Sequence, residues 1–164
     1  MAYFEKIENV SYRAKTLNNI AIQYRLKHKF NRAIEIYQQS LDLKEQLKDT
    51  VGIATTLTNM AMSYEQLDDK EKMVQFFEKA LTYYQLLGLE EGIAHCRMSM
   101  GKAYLEQEEY EKAATNLEIA YPFYQKTPHE RDYGYVLNYL AKIALYKEDY
   151  QRTSDFNLLK NAKT

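Results

Sequence analysis

Thr16-Leu-Asn-Asn-Ile-Ala-Ile-Gln-Tyr24 is a stretch that this chain repeats. It returns as Thr56-Leu-Thr-Asn-Met-Ala-Met-Ser-Tyr64, as Cys96-Arg-Met-Ser-Met-Gly-Lys-Ala-Tyr104 and, in weaker form, as Val136-Leu-Asn-Tyr-Leu-Ala-Lys-Ile-Ala144. The copies begin at residues 16, 56, 96 and 136, which are 40 apart. A fixed period of about 20–50 residues is the sequence signature of a solenoid, in which one supersecondary unit stacks on the next. The sequence therefore predicts a repeat architecture, and such an architecture favours binding over catalysis.

The apolar residues of each copy follow helical spacing. Leu17, Ile20, Ala21 and Tyr24 lie at i, i+3, i+4 and i+7, which places them on one stripe of a helix. After a short polar stretch, a second segment shows the same spacing. Its apolar positions are Phe30, Ala33, Ile34, Tyr37 and Leu41 in repeat one, Met73, Val74, Phe77, Ala80 and Leu81 in repeat two, and Tyr110, Ala113, Ala114, Leu117, Ala120 and Tyr121 in repeat three. We therefore predict an all-α fold, an α-α superhelix (solenoid) of about four helix-turn-helix repeats.

We predict a single repeat domain over residues 1–164. Its repeats are expected at about 10–49, 50–89, 90–129 and 130–164, with polar breaks between first and second helices at 27–29, 68–69, 106–108 and 147–149. Residues 2–9 match the columns that close later second helices, so they are predicted to be the end of a preceding second helix. Either the chain is cut from a longer array, which we favour, or the protein starts with a partial cap. The fourth repeat decays, because Asn157 and Lys160 stand where earlier second helices carry an aromatic residue and alanine. A polar last helix suits the exposed end of a solenoid.

Several residues mark expected helix ends and helix contacts. Asp49 is a predicted N-cap, and Gly88 a predicted glycine just past a helix. Residues 127–130 have the form of a capping box. Pro122 is expected to kink or end the second helix of repeat three, because proline has no N–H to donate. Small residues precede each first-helix stripe, where neighbouring helices would approach closely: Ala14, Ala54, Ala94 and Gly134.

Composition and charge exclude several functional classes. The net charge of −1 and the pI of about 6.3 provide no overall field for nucleic acid or an anionic membrane. A single cysteine excludes an intrachain disulfide framework and agrees with a reducing compartment. No run of about 18 apolar residues and no N-terminal signal segment is visible. The sequence therefore predicts a soluble, cytoplasmic protein.

The residues that could perform chemistry do not form a recognisable site. His28, His95 and His129 fall in a turn, on a helix and at a cap, far apart in the repeat. Glu91 and His95 lie at i and i+4, but no further metal ligand accompanies them. Cys96 adjoins His95, yet neighbouring helical residues point about 100° apart, and Cys96 occupies a packing column. We predict no catalytic residue, no cofactor and no metal site.

The repeat columns resemble the tetratricopeptide repeat (TPR) family over nearly the whole chain. The residues that carry the resemblance are Leu57, Met60, Ala61, Tyr64, Met73, Phe77 and Ala80 in repeat two, and Met100, Gly101, Tyr104, Ala113, Leu117 and Ala120 in repeat three. The usual repeat of that family has about 34 residues, whereas this one has 40. The longer repeat, with Gly-Ile-Ala at 52–54 and 92–94, is similar to the long-helix subclass of Leu-Gly-Asn polarity scaffolds, kinesin light chains and bacterial sensor-regulator proteins.

The resemblance implies that the first helices line a concave groove for a partner's peptide. Asn19 and Asn59 match the first-helix asparagine with which members of this subclass hold an extended backbone, and an amide both donates and accepts hydrogen bonds. A solitary surface asparagine is usually only solvated, so its recurrence on one face is what supports the hypothesis. The column is interrupted at Ser99 and Tyr139. The predicted peptide-binding residues are Asn18, Asn19, Arg25, Asn59, Met62, Ser99, Lys102, Asn138, Tyr139 and Lys142.

The leading hypothesis is a protein-interaction module that binds a peptide or helical segment of a protein partner in this groove. One alternative is the sensory or regulatory part of a larger signalling or transcription-regulating protein. Another is a structural module that forms homo-oligomers through its uncapped N-terminal end. All three predict a protein that is not an enzyme, and none gives this chain alone a nucleic-acid or membrane partner.

Overall fold

The computed structural model describes the backbone of residues 2–127 and 130–161, and the side chains of 7–127 and 131–148. Over these residues the chain forms helices and turns, without a strand. The helices are α1 Ala2–Leu26, α2 Phe30–Gln46, α3 Thr50–Gln66, α4 Lys70–Leu87, α5 Glu90–Glu106, α6 Tyr110–Lys126 and α7 Glu130–Asn161. The predicted all-α, helical-repeat fold class is confirmed.

One left-handed residue ends each helix from α1 to α5. These residues are His28, Lys48, Asp68, Gly88 and Glu108, with φ between 54° and 65°. They lie 20 apart, so two helices make one 40-residue repeat. The residue after each of them donates its N–H to a carbonyl five residues earlier, as Lys29 does to Tyr24 (2.9 Å). This bond satisfies a carbonyl that the helix end would otherwise leave unpaired.

Two predicted helix boundaries are confirmed. Asp49 is the N-cap of α3, and its carboxylate accepts a hydrogen bond from the N–H of Gly52 at 3.0 Å. Gly88 ends α4 in the left-handed conformation. Asp69 caps α4 in the same way, accepting from the N–H of Lys72 at 3.1 Å. The predicted capping box at 127–130 includes Pro128 and His129, which lie outside the described residues.

The chain divides into two compact units, residues 1–96 and 97–164, named here the N-terminal and C-terminal units. In the N-terminal unit, α3 packs between α2 and α4, and α1 packs on α2. Tyr37 and Phe77 are 0% exposed, and burying side chains of this size contributes about 1.5–3 kcal/mol each. The predicted close approach at small residues is confirmed there, because Ala14, Ala54 and Ala94 are buried. The single repeat domain over 1–164 remains a prediction.

In the C-terminal unit, α6 packs on α7. The core joins Ala113, Ala114 and Leu117 of α6 to Ile143 of α7. Partly buried side chains surround these residues, including Met98, Tyr104 and Leu140. The C-terminal unit is therefore held by one face of α6, which packs against α7 and against Met98, Tyr104 and Leu105 of α5.

Two predicted breaks are absent from the structure. Residues 2–9 do not end a separate second helix, because α1 runs without interruption from Ala2 to Leu26. The predicted break at 147–149 is also wrong, because α7 continues to Asn161. Glu8 and Glu148 occupy the columns of the left-handed turns. A left-handed residue other than glycine costs about 1–2 kcal/mol, so glutamate stays helical unless packing beyond the turn offsets that cost.

Three smaller predictions also need correction. Ile20 was placed on the buried stripe but is 41% exposed, because α1 packs mainly on α2, whereas α3 has helices on two sides. Gly134 is exposed, and nothing lies within 4 Å of the position of an added Cβ, so no neighbour approaches it. Of the two alternatives at Pro122, the early end is wrong, since α6 continues to Lys126, and the kink stays a prediction.

A buried lysine lies between α2 and α3. Lys44 is 5% exposed, and its Nζ donates hydrogen bonds to Thr56 Oγ1 at 2.6 Å and to the Gly52 carbonyl at 3.3 Å. Burial lowers the pKa of Lys44, and the nearby Asp49 carboxylate offsets part of that effect. The sequence analysis did not anticipate this group, since a lysine in a second helix reads as exposed.

Among the residues with described structure, none of the helices combines the length and the apolar character of a membrane span.

Replacing Lys48 by glycine should raise the free energy of unfolding by about 0.5–1 kcal/mol, because glycine adopts a positive φ without steric cost. Gly88→Ala is the matched reverse change. An added Cβ there meets nothing within 4 Å, so strain alone should lower the free energy of unfolding by about 1 kcal/mol. Urea unfolding followed by far-UV circular dichroism measures both values. A Lys48→Gly chain that unfolds at lower urea than the unaltered chain would contradict the strain argument.

The contribution of Lys44 to stability should rise with pH. Burial holds the pKa of Lys44 below its ordinary value of 10.5, so the unfolded chain binds more protons than the folded chain between the two pKa values. The free energy of unfolding therefore rises as the pH passes through that interval toward 10.5. The measurement is the stability difference between the unaltered chain and Lys44→Met, followed from neutral to alkaline pH.

The difference should move in favour of the unaltered chain as the pH rises. Lys79→Met is the control, because it removes an exposed lysine of the same unit and leaves the buried amine of Lys44 in place. Tyrosine ionisation occurs in all of these chains and cancels in the comparison. A Lys44→Met difference that is independent of pH would show that burial does not perturb this amine.

Candidate functional site

Four predicted binding residues of the N-terminal unit lie on α1 and α3 at or near the surface. Asn19 is exposed, and Asn59 and Met62 are partly exposed. Asn18 is partly buried, and its Oδ1 accepts a hydrogen bond from Thr56 Oγ1 of α3 at 3.4 Å. Asn59 and Met62 lie one turn apart, which places them on one face of α3. These side chains offer hydrogen-bonding amides beside a flexible apolar group.

Arg25 is turned partly into the protein. Its Nε is buried and has no hydrogen-bond partner among the described residues, and the same is true of the Tyr37 hydroxyl. Burial raises the pKa of Tyr37, and the nearby Arg25 guanidinium opposes the shift. Arg25 therefore contacts the α1–α2 interface, and its buried Nε is not accessible to a partner.

Three predicted residues of the C-terminal unit line one cavity. Lys102, Tyr139 and Lys142 border a space of about 490 Å³ on α5 and α7. The rest of the lining comes from Leu105, Glu106, Tyr110 and Tyr146. Ser99 is partly buried and Asn138 is exposed, and neither lines this space. The structure thus brings together three residues that the sequence places up to 40 positions apart.

The cavity wall combines aromatic rings with charges. Tyr110 and Tyr146 stack with ring centroids 3.6 Å apart and planes 14° apart. Burial raises the pKa of Tyr110, as do Glu108 and Tyr146, so its hydroxyl stays protonated at neutral pH. Lys142 Nζ lies 6.0 Å from the ring centroid of Tyr139. The space can hold an apolar or aromatic side chain against the rings.

An ion pair borders the same cavity. Lys102 Nζ lies 3.9 Å from the Glu106 carboxylate, and the two side chains are 38% and 45% exposed. A pair this exposed contributes about 0–1 kcal/mol. It places one positive and one negative group at the edge of the cavity.

Tyr110 and Tyr146 were not among the residues predicted for the site. A signal for Tyr146 is present in the sequence, because Tyr139, Lys142 and Tyr146 lie at i, i+3 and i+7 on one face of a helix. Tyr110 was predicted as an apolar position of the second helix of repeat three. The packing of α6 on α7 places the two rings together.

The histidines and the cysteine that were considered for chemistry take part in packing. The His95 ring lies edge-on to Phe77, with centroids 5.8 Å apart, and His28 lies edge-on to Phe30 at 5.7 Å. Cys96 is 0% exposed. His129 lies outside the described residues. Among the side chains that the structure describes, no three His, Cys, Asp or Glu residues gather as metal ligands.

Solved structures with a similar fold come from several proteins. BtubC from P. vanneervenii is 19% identical, with a TM-score of 0.67 over 90% of this chain and 64% of BtubC. RapI in its apo form is 19% identical, with a TM-score of 0.79 over 87% of this chain and 40% of RapI. The first TPR of Spaghetti (RPAP3), bound to the HSP90 peptide SRMEEVD, is 17% identical, with a TM-score of 0.66 over 84% and 95%.

At these identities the likeness establishes the fold alone. The chain spans less than two thirds of the BtubC and RapI chains. A comparison with curated protein sequences gave no significant match. A family model described as tetratricopeptide repeat matches residues 12–86 and 53–126. The two matches together cover residues 12–126, more than half of the 164 residues. The chain therefore belongs to the tetratricopeptide repeat family.

Proposed function

We propose that this chain is a non-catalytic, cytoplasmic protein-interaction module that binds a peptide or helical segment of a partner protein on its first helices. The observation that carries the proposal is the cavity of about 490 Å³ where Lys102, Tyr139 and Lys142 meet. Pockets that bind ligands are commonly lined by apolar and aromatic side chains with a few polar groups that fix orientation. Family membership and a TPR neighbour bound to an HSP90 peptide support a protein partner.

In the N-terminal unit, the proposal assigns the partner's backbone to Asn19 and Asn59. Both amides are at least partly exposed, and each can donate and accept a hydrogen bond at once. A peptide backbone carries one donor and one acceptor per residue, so two such amides can hold it without reading its sequence. Met62 supplies an adaptable apolar contact beside them.

In the C-terminal unit, the proposal assigns a partner side chain to the cavity. An aromatic or aliphatic side chain would lie against Tyr110, Tyr139 and Tyr146, where burying apolar area contributes about 25 cal/mol per Å². Lys102 and Lys142 flank this space and would pair with a carboxylate or a carbonyl of the same segment. The cavity would therefore supply selectivity, while the asparagines supply general affinity.

The alternatives of a regulatory portion of a larger protein and of a self-associating structural module remain predictions.

Exchanging Asn19 and Asn59 together for alanine should weaken peptide binding about 30-fold. Two hydrogen bonds of about 1 kcal/mol each account for this loss. The ligand is a peptide selected from a random display library on the immobilised chain, and fluorescence anisotropy measures its Kd. Gln39→Ala is the matched control, because Gln39 is exposed on α2, a second helix. Equal affinity of the double variant and the control would rule out this surface.

Removing the Tyr146 ring should lower the affinity for the same peptide about tenfold, because one stacked wall of the cavity is lost. Lys142→Ala should weaken binding of peptides with an acidic residue more than of their amide analogues. Glu118→Ala, exposed on α6, is the control, and circular dichroism confirms that helicity is kept. Unchanged affinity in Tyr146→Ala would remove the cavity from the proposed site.

A further inference from the structure

Lys44 is connected to a residue of the predicted binding surface. Its Nζ donates to Thr56 Oγ1 at 2.6 Å, and Thr56 Oγ1 donates to Asn18 Oδ1 at 3.4 Å. Lys44 is 5% exposed and Thr56 is 0% exposed, whereas Asn18 is partly exposed. The three residues come from α2, α3 and α1, respectively. A chain of two hydrogen bonds therefore links the buried ammonium group of Lys44 on α2 to the partly exposed Asn18 on α1.

The Thr56 hydroxyl has one proton and two acceptors within reach. The Gly52 carbonyl lies at 2.8 Å and Asn18 Oδ1 at 3.4 Å. Helical threonines of this chain ordinarily donate to the carbonyl four residues earlier. Thr16, Thr55, Thr58, Thr82 and Thr115 all do so, at 2.9–3.1 Å. Without Lys44, the Thr56 hydroxyl would donate to the Gly52 carbonyl, and Asn18 Oδ1 would receive no hydrogen bond from Thr56.

Lys44 changes this competition. An ammonium group has three N–H donors, and Lys44 Nζ also reaches the Gly52 carbonyl, at 3.3 Å. Thr56 Oγ1 lies 2.8 Å from the Gly52 carbonyl and 3.4 Å from Asn18 Oδ1, so its proton is shared between the two acceptors. Because Lys44 also donates to that carbonyl, it favours the share of the Thr56 proton that goes to Asn18. The Asn18 amide then holds its Oδ1 toward Thr56 and keeps its Nδ2 group for a partner.

The next repeat contains a related arrangement with different side chains. Tyr84 occupies the column of Lys44, 40 residues on, and its hydroxyl lies 3.2 Å from Thr58 Oγ1. Thr58 occupies the column of Asn18 and already donates its proton to the Ala54 carbonyl at 3.0 Å. With that proton on the Ala54 carbonyl, the Tyr84 hydroxyl is placed to donate to Thr58 Oγ1. In both repeats a residue of the second helix supplies a hydrogen bond toward the same column of the first helix.

Glycine leaves the room for both side chains. A Cβ on Gly52 would lie 3.0 Å from Lys44 Cδ and 2.2 Å from the Asp49 carboxylate. A Cβ on Gly92, 40 residues later, would lie 2.4 Å from the ring of Tyr84. The side chains of Lys44 and Tyr84 thus each pass the first helix of the following repeat at a glycine. The recurrence makes an accidental contact of Lys44 a poor explanation.

We propose that Lys44 is a positioning residue, which fixes the Asn18 amide through Thr56 so that its N–H donors face the binding surface. The group recognised there is a hydrogen-bond acceptor, a backbone carbonyl or a carboxylate of the partner segment. Tyr84 positions Thr58 by a direct hydrogen bond between the two hydroxyl groups. The Thr58 oxygen keeps a lone pair that can accept a hydrogen bond from the partner segment. The part played by a partner rests on the proposed function, whereas the positioning itself does not.

The experiment compares the Asn18 side-chain amide in ¹H–¹⁵N spectra of the unaltered chain, Lys44→Met, Thr56→Val and Thr56→Ser. Asn18→Asp identifies the signal by its loss. The amide signal should shift in Lys44→Met and Thr56→Val, and it should stay in place in Thr56→Ser, which keeps the hydroxyl. Lys79→Met is the control for loss of an exposed lysine in the same unit. If Lys44→Met does not fold, the Thr56 pair decides the question alone.

The second readout is the affinity for the selected peptide in a double-mutant cycle. Asn18→Ala should weaken binding about fivefold, Lys44→Met by a similar factor, and the double variant no further, because both remove the same interaction. An unshifted amide signal in Lys44→Met and Thr56→Val overturns the positioning. A shifted signal with additive losses, or with no loss in Asn18→Ala, overturns the role in recognition. If the chain binds no peptide, the proposed function is wrong. The spectra then still decide whether Lys44 positions the Asn18 amide.

Discussion

The left-handed residue that ends each helix from α1 to α5 sets the length of the repeat. It recurs every 20 residues, from His28 to Glu108, so two helices with their turns make one 40-residue repeat. Within the N-terminal unit, equivalent positions of the repeat are buried alike, as Ala14, Ala54 and Ala94 are. Four of the five residues are not glycine. The strain of each such residue, about 1–2 kcal/mol, is offset by the helix that it turns back onto the core.

Where that compensation is missing, the turn does not form. Glu108 and Glu148 occupy the same column, yet Glu108 is left-handed and Glu148 lies within α7. The second helix after Glu108 buries Ala113 and Leu117, whereas the residues 40 positions later are Thr153 and Asn157. Burial of an apolar stripe beyond the turn is what offsets the strain of the left-handed residue. Without such a stripe, α7 continues as one helix to Asn161, and its Leu137 and Leu145 are 41% and 63% exposed.

Helix α7 also shapes the cavity. Tyr146 remains on the helical face of Tyr139 and Lys142, and it stacks on Tyr110. Tyr146 occupies the column of Leu26, Gln66 and Glu106, the last residues of α1, α3 and α5. This wall of the cavity therefore follows from the repeat period together with the packing of α6 on α7. The polar connections in the N-terminal unit also follow from the repeat period. Lys44 and Tyr84 act at regular repeat positions, and the regular turns bring them to equivalent places.

The sequence by itself determined the period, the helical class, the small residues at close approaches and the caps at Asp49 and Gly88. These features depend on local spacing and on backbone chemistry, which the order of residues states directly. It also named Lys102, Tyr139 and Lys142, because positions 40 apart share a face. Only the tertiary structure decided that α1 and α7 run through their expected breaks, that Ile20 is exposed, and that Lys44 is buried beside Thr56. Those outcomes depend on which helices flank a given helix, and a repeat pattern carries no information about a neighbour that is missing or a charge that finds its partners across an interface.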